Sequence, residues 1–275
     1  MGRILPAIVI LFQGLAVLAA AVEPRAYEEK RGNVIKLLVQ NPFPCPITVA
    51  LKAELINMAT TKPVPLTEIV PALGQTEMTK LQVMDPNQKW KYTWSTTWRL
   101  GDPKAHYNVV VAYRLPYPAG ESHKVIQGFD GPFSHTGEYR YAIDWEMPVG
   151  SPVCATRDGI VVRVRADSDE GGADRARYES RANFIVVYHE DGTLGNYMHL
   201  KHGGVKVKPG QTVHAGEVIG LSGETGFTTT PHLHFHVELP VDGRAMQTVP
   251  IRFSNAKGEA EVLKEGKVYV APKVN

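Results

Sequence analysis

The segment His232-Leu233-His234-Phe235-His236 places three histidines at alternate positions. In a β-strand, alternate side chains lie on one face, so His232, His234 and His236 are expected to point the same way. Leu233 and Phe235 would then point into a core. Imidazoles spaced in this way can bind a metal ion or the water attached to it. The competing interpretation is a row of histidines on an exposed strand face.

Three more candidate ligands lie upstream, in the same half of the chain. Asp144 stands alone between Ile143 and Trp145, where burial of an unpaired carboxylate is unfavourable. His135 lies nine positions earlier in a turn-like segment, and His199 has apolar neighbours. Zinc accepts imidazole nitrogen and carboxylate oxygen, and a catalytic zinc usually has three protein ligands and one position for water. A single histidine or aspartate in such a setting is usually a core or turn residue whose hydrogen bonds are made within the protein. Several of them in one β-rich half of the chain favour a zinc site.

The elements that must position these residues are predicted to be strands. Apolar or alternating runs typical of β-strands occupy residues 34–39, 47–51, 80–83, 90–98, 107–113, 159–164, 184–188 and 232–237. The sequence therefore predicts an all-β chain, with a small antiparallel β-sandwich-like domain followed by a second β-rich domain. Prolines and glycines at residues 115–120 mark the boundary. The charged residues 167–181 are predicted to form a solvated, mobile loop, with a substrate-facing lip as the alternative.

The first residues have the features of a secretory signal. Arg3 precedes an apolar run that ends near the small residues Ala19, Ala20 and Ala21. We predict cleavage near Ala21 and an exported protein, periplasmic or extracellular, with an uncleaved anchor as the alternative. No later stretch approaches the ~20 apolar residues of a transmembrane helix, so no stable membrane span is expected after cleavage.

Charge and cysteine content narrow the function classes only a little. The 275-residue chain has a net charge of +2, and removal of residues 1–21 takes away only Arg3. So balanced a charge gives no electrostatic reason to expect a nucleic-acid partner or an anionic membrane surface. Cys45 and Cys154 can pair in an oxidising compartment, but two cysteines do not fix the geometry, so the sequence leaves a disulfide open.

These motifs together resemble peptidase family M23, the lysostaphin- and LytM-like cell-wall endopeptidases. The resemblance spans about residues 125–240, and a glycine-punctuated segment at residues 207–220 looks like the hairpin that those domains share with biotinyl/lipoyl-type folds. The commonest family pattern places the first histidine four residues before the aspartate, where this chain has Arg140, and His135 fits a subgroup with a longer loop. Three stretches carry the match: Ser134-His135 through Tyr141-Ala142-Ile143-Asp144, then Asn196-Tyr197-Met198-His199-Leu200, and finally Pro231-His232-Leu233-His234-Phe235.

The resemblance implies the β-rich duplicated hybrid motif fold and a role for each residue. His135, Asp144 and His234 would bind Zn²⁺. His199 and His232 would flank the zinc-bound water and act as acid/base or oxyanion partners. The implied activity is zinc-dependent hydrolysis of the peptide cross-links of bacterial peptidoglycan, whose peptide is the expected partner.

The alternative function is a catalytically inactive M23-like binding module that regulates other cell-wall hydrolases. A lysine-linked carrier and a serine protease are disfavoured, because the sequence near Thr225 lacks an M-K-M-like motif and no nucleophile elbow is present.

The predicted organisation is a signal peptide (1–21), an accessory β-sandwich-like domain (22–118) and an M23-like peptidase domain (119–275). We expect Gln127 to line the cleft, His236 to support the ligand strand and His189 to end a strand at a hairpin turn.

Overall fold

A computed structural model of the chain describes residues 23–255 and 257–273. The predicted signal peptide lies outside these residues. The described residues form β-strands, two 3-10 turns and one short α-helix, which confirms the predicted all-β class. Within the described ranges, no helix combines the length and the apolar character that a membrane crossing requires.

The first seven strands form two antiparallel sheets. Their bounds are β1 Arg25–Arg31, β2 Val34–Gln40, β3 Ile47–Ile56, β4 Met58–Thr60, β5 Leu66–Val70, β6 Gln75–Val83 and β7 Lys91–Leu100. One sheet has the order β1-β2-β6-β4 and the other β5-β3-β7. Leu37, Leu51 and Leu81 are fully buried in a core that the two sheets share. The alternation seen in the sequence therefore places one side of each strand in this core.

The second part of the chain contains sixteen strands and the helix α1. These are β8 Ala112–Tyr113, β9 Ser122–Gln127, β10 Ile143–Glu146, β11 Pro152–Cys154, β12 Gly159–Arg165, β13 Gly171–Gly172, α1 Arg175–Tyr178, β14 Phe184–Tyr188, β15 Leu194–Met198, β16 Thr212–Val213, β17 Val218–Leu221, β18 Gly226–Phe227, β19 His232–Pro240, β20 Met246–Thr248, β21 Arg252–Ser254, β22 Ala260–Glu261 and β23 Val268–Val270. The 3-10 turns are Gly137–Tyr139 and Glu179–Arg181.

A nine-stranded sheet organises this part, in the order β16-β12-β14-β15-β19-β10-β9-β23, with β20 paired to β19. Strand β19 lies between β15 and β10 and is antiparallel to both. Its residues Leu233, Phe235 and Val237 are fully buried in the apolar cluster beneath one face of the sheet. The histidines that alternate with them must therefore lie on the opposite face.

The first two sheets pack against the nine-stranded sheet. Val162, Val186 and Leu194 of the large sheet belong to the same apolar cluster as the core of the first two sheets. Tyr113 and Tyr117 pack instead into the other core, beneath β19. The division of the chain at residue 118 stays a prediction.

The strand predicted at residues 107–113 is wrong for most of its length, since only β8 is extended and paired. Asn108 explains the difference. Its carbonyl oxygen accepts from the Val111 amide at 3.2 Å, and its side chain accepts from the Val110 amide at 3.1 Å. This local turn satisfies donors that a β-ladder would otherwise bind. Val109 and Val110 are consequently exposed.

The hairpin expected at residues 207–220 is also wrong, because its two strands do not pair with each other. Strand β16 pairs with β12, and β17 pairs with β11. A turn in which the Glu217 amide donates to His214 oxygen at 2.9 Å separates the two strands.

Cys45 and Cys154 are both buried free thiols, and burial raises their pKa values to about 12 and about 11.

Candidate metal centre and active site

Three neighbouring strands bring the central residues of the site side by side. Asp144 of β10 is directly opposite His234 of β19 on one side and Gln127 of β9 on the other. Directly opposite residues of antiparallel strands point to the same face, so their side chains meet above the sheet. His135 reaches the same place from the loop after β9. The structure thus brings together residues that are up to 107 positions apart in sequence, from Gln127 to His234.

His135, Asp144 and His234 form a compact group of possible metal ligands. His135 Nε2 lies 3.1 Å from one carboxylate oxygen of Asp144, and His234 Nδ1 lies 2.9 Å from the other. One donor atom from each of the three residues lies within 4.8 Å of the other two. All three side chains are buried. Two imidazole nitrogens and one carboxylate oxygen are a donor set that zinc accepts.

The hydrogen bonds around His135 indicate that one nitrogen is left for a cation. Its Nδ1 donates to the Gly128 carbonyl oxygen at 2.7 Å, which leaves the lone pair of a neutral ring on Nε2. That Nε2 atom is buried and has no hydrogen-bond partner of acceptable geometry. A buried polar atom without a partner is unfavourable unless another group satisfies it. A zinc ion at this position fits the residues present.

The charge state of the group also suits a cation. Burial alone would raise the pKa of Asp144, but the neighbouring His234 and His135 hold that pKa well below its ordinary value. Burial lowers the pKa of His234 to about 4, so this ring is neutral near pH 7. Burial opposes protonation of His135 as well, but Asp144 outweighs it and raises the pKa of His135. The site therefore holds an ionised carboxylate that a cation can neutralise.

His199 and His232 lie next to this group. Their side chains line a cavity that Asp144 and His234 also line. Their ring centroids are 4.6 Å apart. His199 Nδ1 donates to the Thr225 carbonyl oxygen, and His232 Nδ1 donates to the Thr230 carbonyl oxygen, both at 2.7 Å. Each ring therefore has its Nε2 free. Burial and the neighbouring His232 and His234 lower the pKa of His199 to about 3, which keeps this ring neutral near pH 7.

The backbone at His199 is held in a strained conformation. Its φ angle is 62°, in the left-handed region that residues other than glycine rarely adopt. The following amide, of Leu200, donates to Asn183 oxygen at 3.1 Å and fixes the chain there. Strain of this kind is common at functional sites, where the surrounding structure compensates for it.

A second layer of polar groups supports the ligands. His234 Nε2 lies 3.0 Å from His236 Nδ1, and His236 Nε2 lies 3.5 Å from a Glu238 carboxylate oxygen. Asn196 then donates to the other Glu238 oxygen at 3.0 Å. Such partners fix the tautomer and the orientation of a ligand ring. The prediction that His236 supports the ligand strand agrees with this geometry. No sequence signal assigned a role to Glu238, and Asn196 stood out only as part of a matched stretch.

Gln127 supports the carboxylate and the loop that carries His135. Its amide nitrogen donates to Asp144 Oδ2 at 3.2 Å and to Ser134 Oγ at 2.6 Å. Its carbonyl oxygen accepts from the amides of Phe133 and Ser134. Gln127 lines the cavity, as the sequence suggested, and it also holds the ligand loop against the sheet.

The cavity above these residues has a volume of about 240 Å³. Besides the histidines, its wall includes the aromatic side chains Phe133 and Phe227 and the charged side chains Arg175 and Glu179. The last two belong to the segment 167–181. Most of this segment is exposed, as predicted for a solvated loop, but it also forms the short elements β13 and α1 and places two side chains in the wall of the cavity. The geometry agrees with the alternative, a lip of the cleft.

Comparison with known proteins agrees with the motifs. Residues 138–248 match the model of peptidase family M23, and this segment contains Asp144, His199, His232 and His234 but begins after His135. The chain is 35% identical over 137 residues to the peptidoglycan DD-endopeptidase ShyA of Vibrio cholerae, a match that covers 48% of this chain and 28% of ShyA. It is 40% identical over 105 residues to the glycyl-glycine endopeptidase ALE-1 of Staphylococcus capitis, which covers 38% of this chain and 26% of that protein.

Among solved structures, the catalytic domain of lysostaphin from Staphylococcus simulans is 31% identical to the chain. That match covers 46% of this chain and 87% of the lysostaphin domain, with a TM-score of 0.34. The chain spans less than a third of the length of ShyA and of ALE-1. The resemblance predicted from the motifs is confirmed by the family match, and the chain carries a domain of peptidase family M23.

Proposed function

We propose that the protein is a zinc-dependent endopeptidase that hydrolyses peptide cross-links of bacterial peptidoglycan. The observation that carries this proposal is the meeting of three possible zinc ligands next to a cleft that two of them, Asp144 and His234, line together with two further imidazoles. The names of ShyA and ALE-1, a peptidoglycan DD-endopeptidase and a glycyl-glycine endopeptidase, support the substrate class. Because residues 1–21 have the features of a secretory signal, we place the activity outside the cytoplasm, in the periplasm or the extracellular space.

In this proposal, His135 Nε2, His234 Nδ1 and a carboxylate oxygen of Asp144 hold the metal. Bound Zn²⁺ would polarise the scissile carbonyl and lower the pKa of a water molecule to about 7. Gln127 and His236 keep Asp144 and His234 in position through their hydrogen bonds. The buried ligand rings are also shielded from bulk water, which strengthens electrostatic interactions at the reacting carbonyl.

The two remaining histidines are suited to move the proton. A neutral ring that donates from Nδ1 has its lone pair on Nε2 and can accept a proton there. His199 and His232 donate from Nδ1 to the Thr225 and Thr230 carbonyl oxygens, so Nε2 is the nitrogen of each ring that remains for proton transfer. One Nε2 accepts a proton from the attacking water and delivers it to the leaving amine. The other ring can donate from Nε2 to the developing oxyanion only as an imidazolium, and its extra proton comes from solvent.

Incubation of the purified protein with peptidoglycan, with and without a chelator, tests the proposal. We expect release of peptide fragments that the chelator abolishes and zinc restores. His234→Ala should lose both the zinc and the hydrolysis, whereas His232→Ala should retain most of the zinc and lose hydrolysis. His214→Ala, which changes a side chain that is 75% exposed, is the control and should behave as the wild type.

The alternative function, a binding module without activity, predicts a different result. In that case the protein would bind peptidoglycan but release no fragment, with or without added zinc. Full hydrolysis by His234→Ala would contradict the proposed metal site, and full hydrolysis by His232→Ala would contradict its proposed role in the reaction.

A further inference from the structure

We propose that Arg175 binds a carboxylate of the substrate next to the scissile bond, which selects cross-links whose leaving amine belongs to a residue with a free carboxylate. This inference rests on the proposed endopeptidase function and names its substrate class. A D-alanyl–diaminopimelyl cross-link has this chemistry, because the amide nitrogen is attached to a carbon that carries a free carboxylate. A bond inside a polyglycine bridge has no charged group beside it.

The charges in the cleft motivate the inference. Among the described residues that line the cavity, Arg175 is the only lysine or arginine. The acidic groups there are Glu179 and Asp144, and Asp144 is buried among the proposed metal ligands. Apart from the proposed zinc ion, a substrate carboxylate in the cavity therefore meets one cationic side chain. Arginine is suited to this role, since its planar guanidinium can bind both oxygens of a carboxylate.

The position of Arg175 is fixed by two contacts. Its guanidinium carbon lies 4.4 Å from the ring centroid of Phe227, and its Nη1 lies 2.9 Å from Glu179 Oε1. A guanidinium has five N–H donors, so one bond to Glu179 leaves the remaining donors available. The side chain is 45% exposed, which lets a ligand reach it.

The backbone of the lip is also tied to the wall of the cleft. Gly172 of β13 is directly opposite Phe227 of β18. The Asp174 side chain accepts from the Arg177 amide at 3.2 Å and caps α1. Phe133 stacks on Phe227 with centroids 5.9 Å apart, so an aromatic surface lies beside the guanidinium. An arginine held on an aromatic face loses less conformational freedom when it binds a carboxylate.

The test compares two substrates that differ only in the carboxylate. One is a cross-linked peptide dimer with a free carboxylate on the diaminopimelyl residue that supplies the leaving amine. The other is the same dimer with that carboxylate amidated. For the wild type we expect kcat/KM to be about 10-fold higher for the free acid than for the amide. One charge-assisted hydrogen-bonding contact between a partly exposed Arg175 and the carboxylate would give a preference of this size.

Arg175→Gln should lose this preference through a higher KM on the free acid, so that kcat/KM becomes equal for the two dimers. Arg175→Lys should restore part of the preference, because it keeps the charge but not the paired donors. Glu179→Gln should lower KM for the free acid, because it removes the carboxylate that competes for Arg175. A preference that survives in Arg175→Gln, or an equal loss on both dimers, would overturn the inference.

Failure of the inference can be separated from failure of the proposed function. A wild type that cleaves both dimers equally well would be an endopeptidase without the Arg175 subsite. If no dimer is cleaved, the dissociation constants of the two dimers still report on Arg175, because its contact does not require hydrolysis. Equal dissociation constants for the free acid and the amide would then overturn the inference, and a ratio near 10 that Arg175→Gln abolishes would support it.

Discussion

His189 offers a test of the packing behind the site, because its ring is fully buried without a second partner. The side chain has 0% exposure, its Nδ1 donates to the Asp158 carbonyl oxygen at 2.8 Å, and its Nε2 has no hydrogen-bond partner. Burial lowers the pKa of His189 from 6.5 to about 4. The prediction that His189 ends a strand is consistent with its position after β14, and the structure adds that the ring faces inward.

The sign of the pH effect follows from the two protonation states. The unfolded chain takes up a proton at His189 near pH 6.5, whereas the folded chain does so only near pH 4. The unfolded state therefore binds more protons between these values, and stability falls as the pH drops through that window. The full effect is about 3 kcal/mol, of which about 2 kcal/mol is lost between pH 7.5 and pH 5.

Urea unfolding of the wild type and of His189→Gln, both with zinc present, measures this effect. Glutamine cannot titrate, so the stability advantage of the wild type should be about 2 kcal/mol smaller at pH 5 than at pH 7.5. The other histidines are the same in both proteins and cancel in the difference. An advantage of the wild type that is equal at the two pH values would refute the buried, neutral state of His189.

Three further predictions follow from the same structure. His236→Gln should weaken zinc binding by about 10- to 100-fold in a chelator competition while the protein stays folded, because the ring that supports His234 is lost. Phe235→Ala should lower the free energy of unfolding by about 3–5 kcal/mol, measured by urea titration, since this fully buried ring fills the core beneath the site. Asp191→Asn should destabilise the protein at pH 7 but not near pH 2, because Arg157 and Thr193 offset burial and hold the pKa of Asp191 at about 2. Unfolding of both proteins across this pH range should show their stabilities becoming equal at low pH.

Much of the site could be predicted because its signals are local in sequence. The alternation around His234 fixed both the strand and the face on which the imidazoles lie, and burial of Leu233 and Phe235 follows the same period. Asp144 was recognisable as a lone acid in an apolar strand, whose burial requires a partner. Periodicity predicts which face of a strand is buried without knowledge of its neighbours.

The remaining features depend on contacts that sequence periodicity does not encode. The pairing of β16 and β17 with different strands is decided by the packed sheet. Residues 107–113 have a strand-like apolar composition, but the side chain of Asn108 binds the local backbone more readily than a ladder does. Arg175 reaches the cavity through the pairing of β13 with the distant β18. Glu238 follows His236 by two positions on β19, but its contact with Asn196 depends on the pairing of β19 with β15.

We propose that His135, Asp144 and His234 bind one zinc ion together and leave room for a further ligand. Anomalous diffraction at the zinc edge, from crystals of the zinc-loaded protein, measures this most directly. We predict one strong peak at about 2.0–2.2 Å from His135 Nε2, His234 Nδ1 and an oxygen of Asp144, facing the rings of His199 and His232. A peak bound by other residues, or the absence of any peak between these three side chains, would contradict the account.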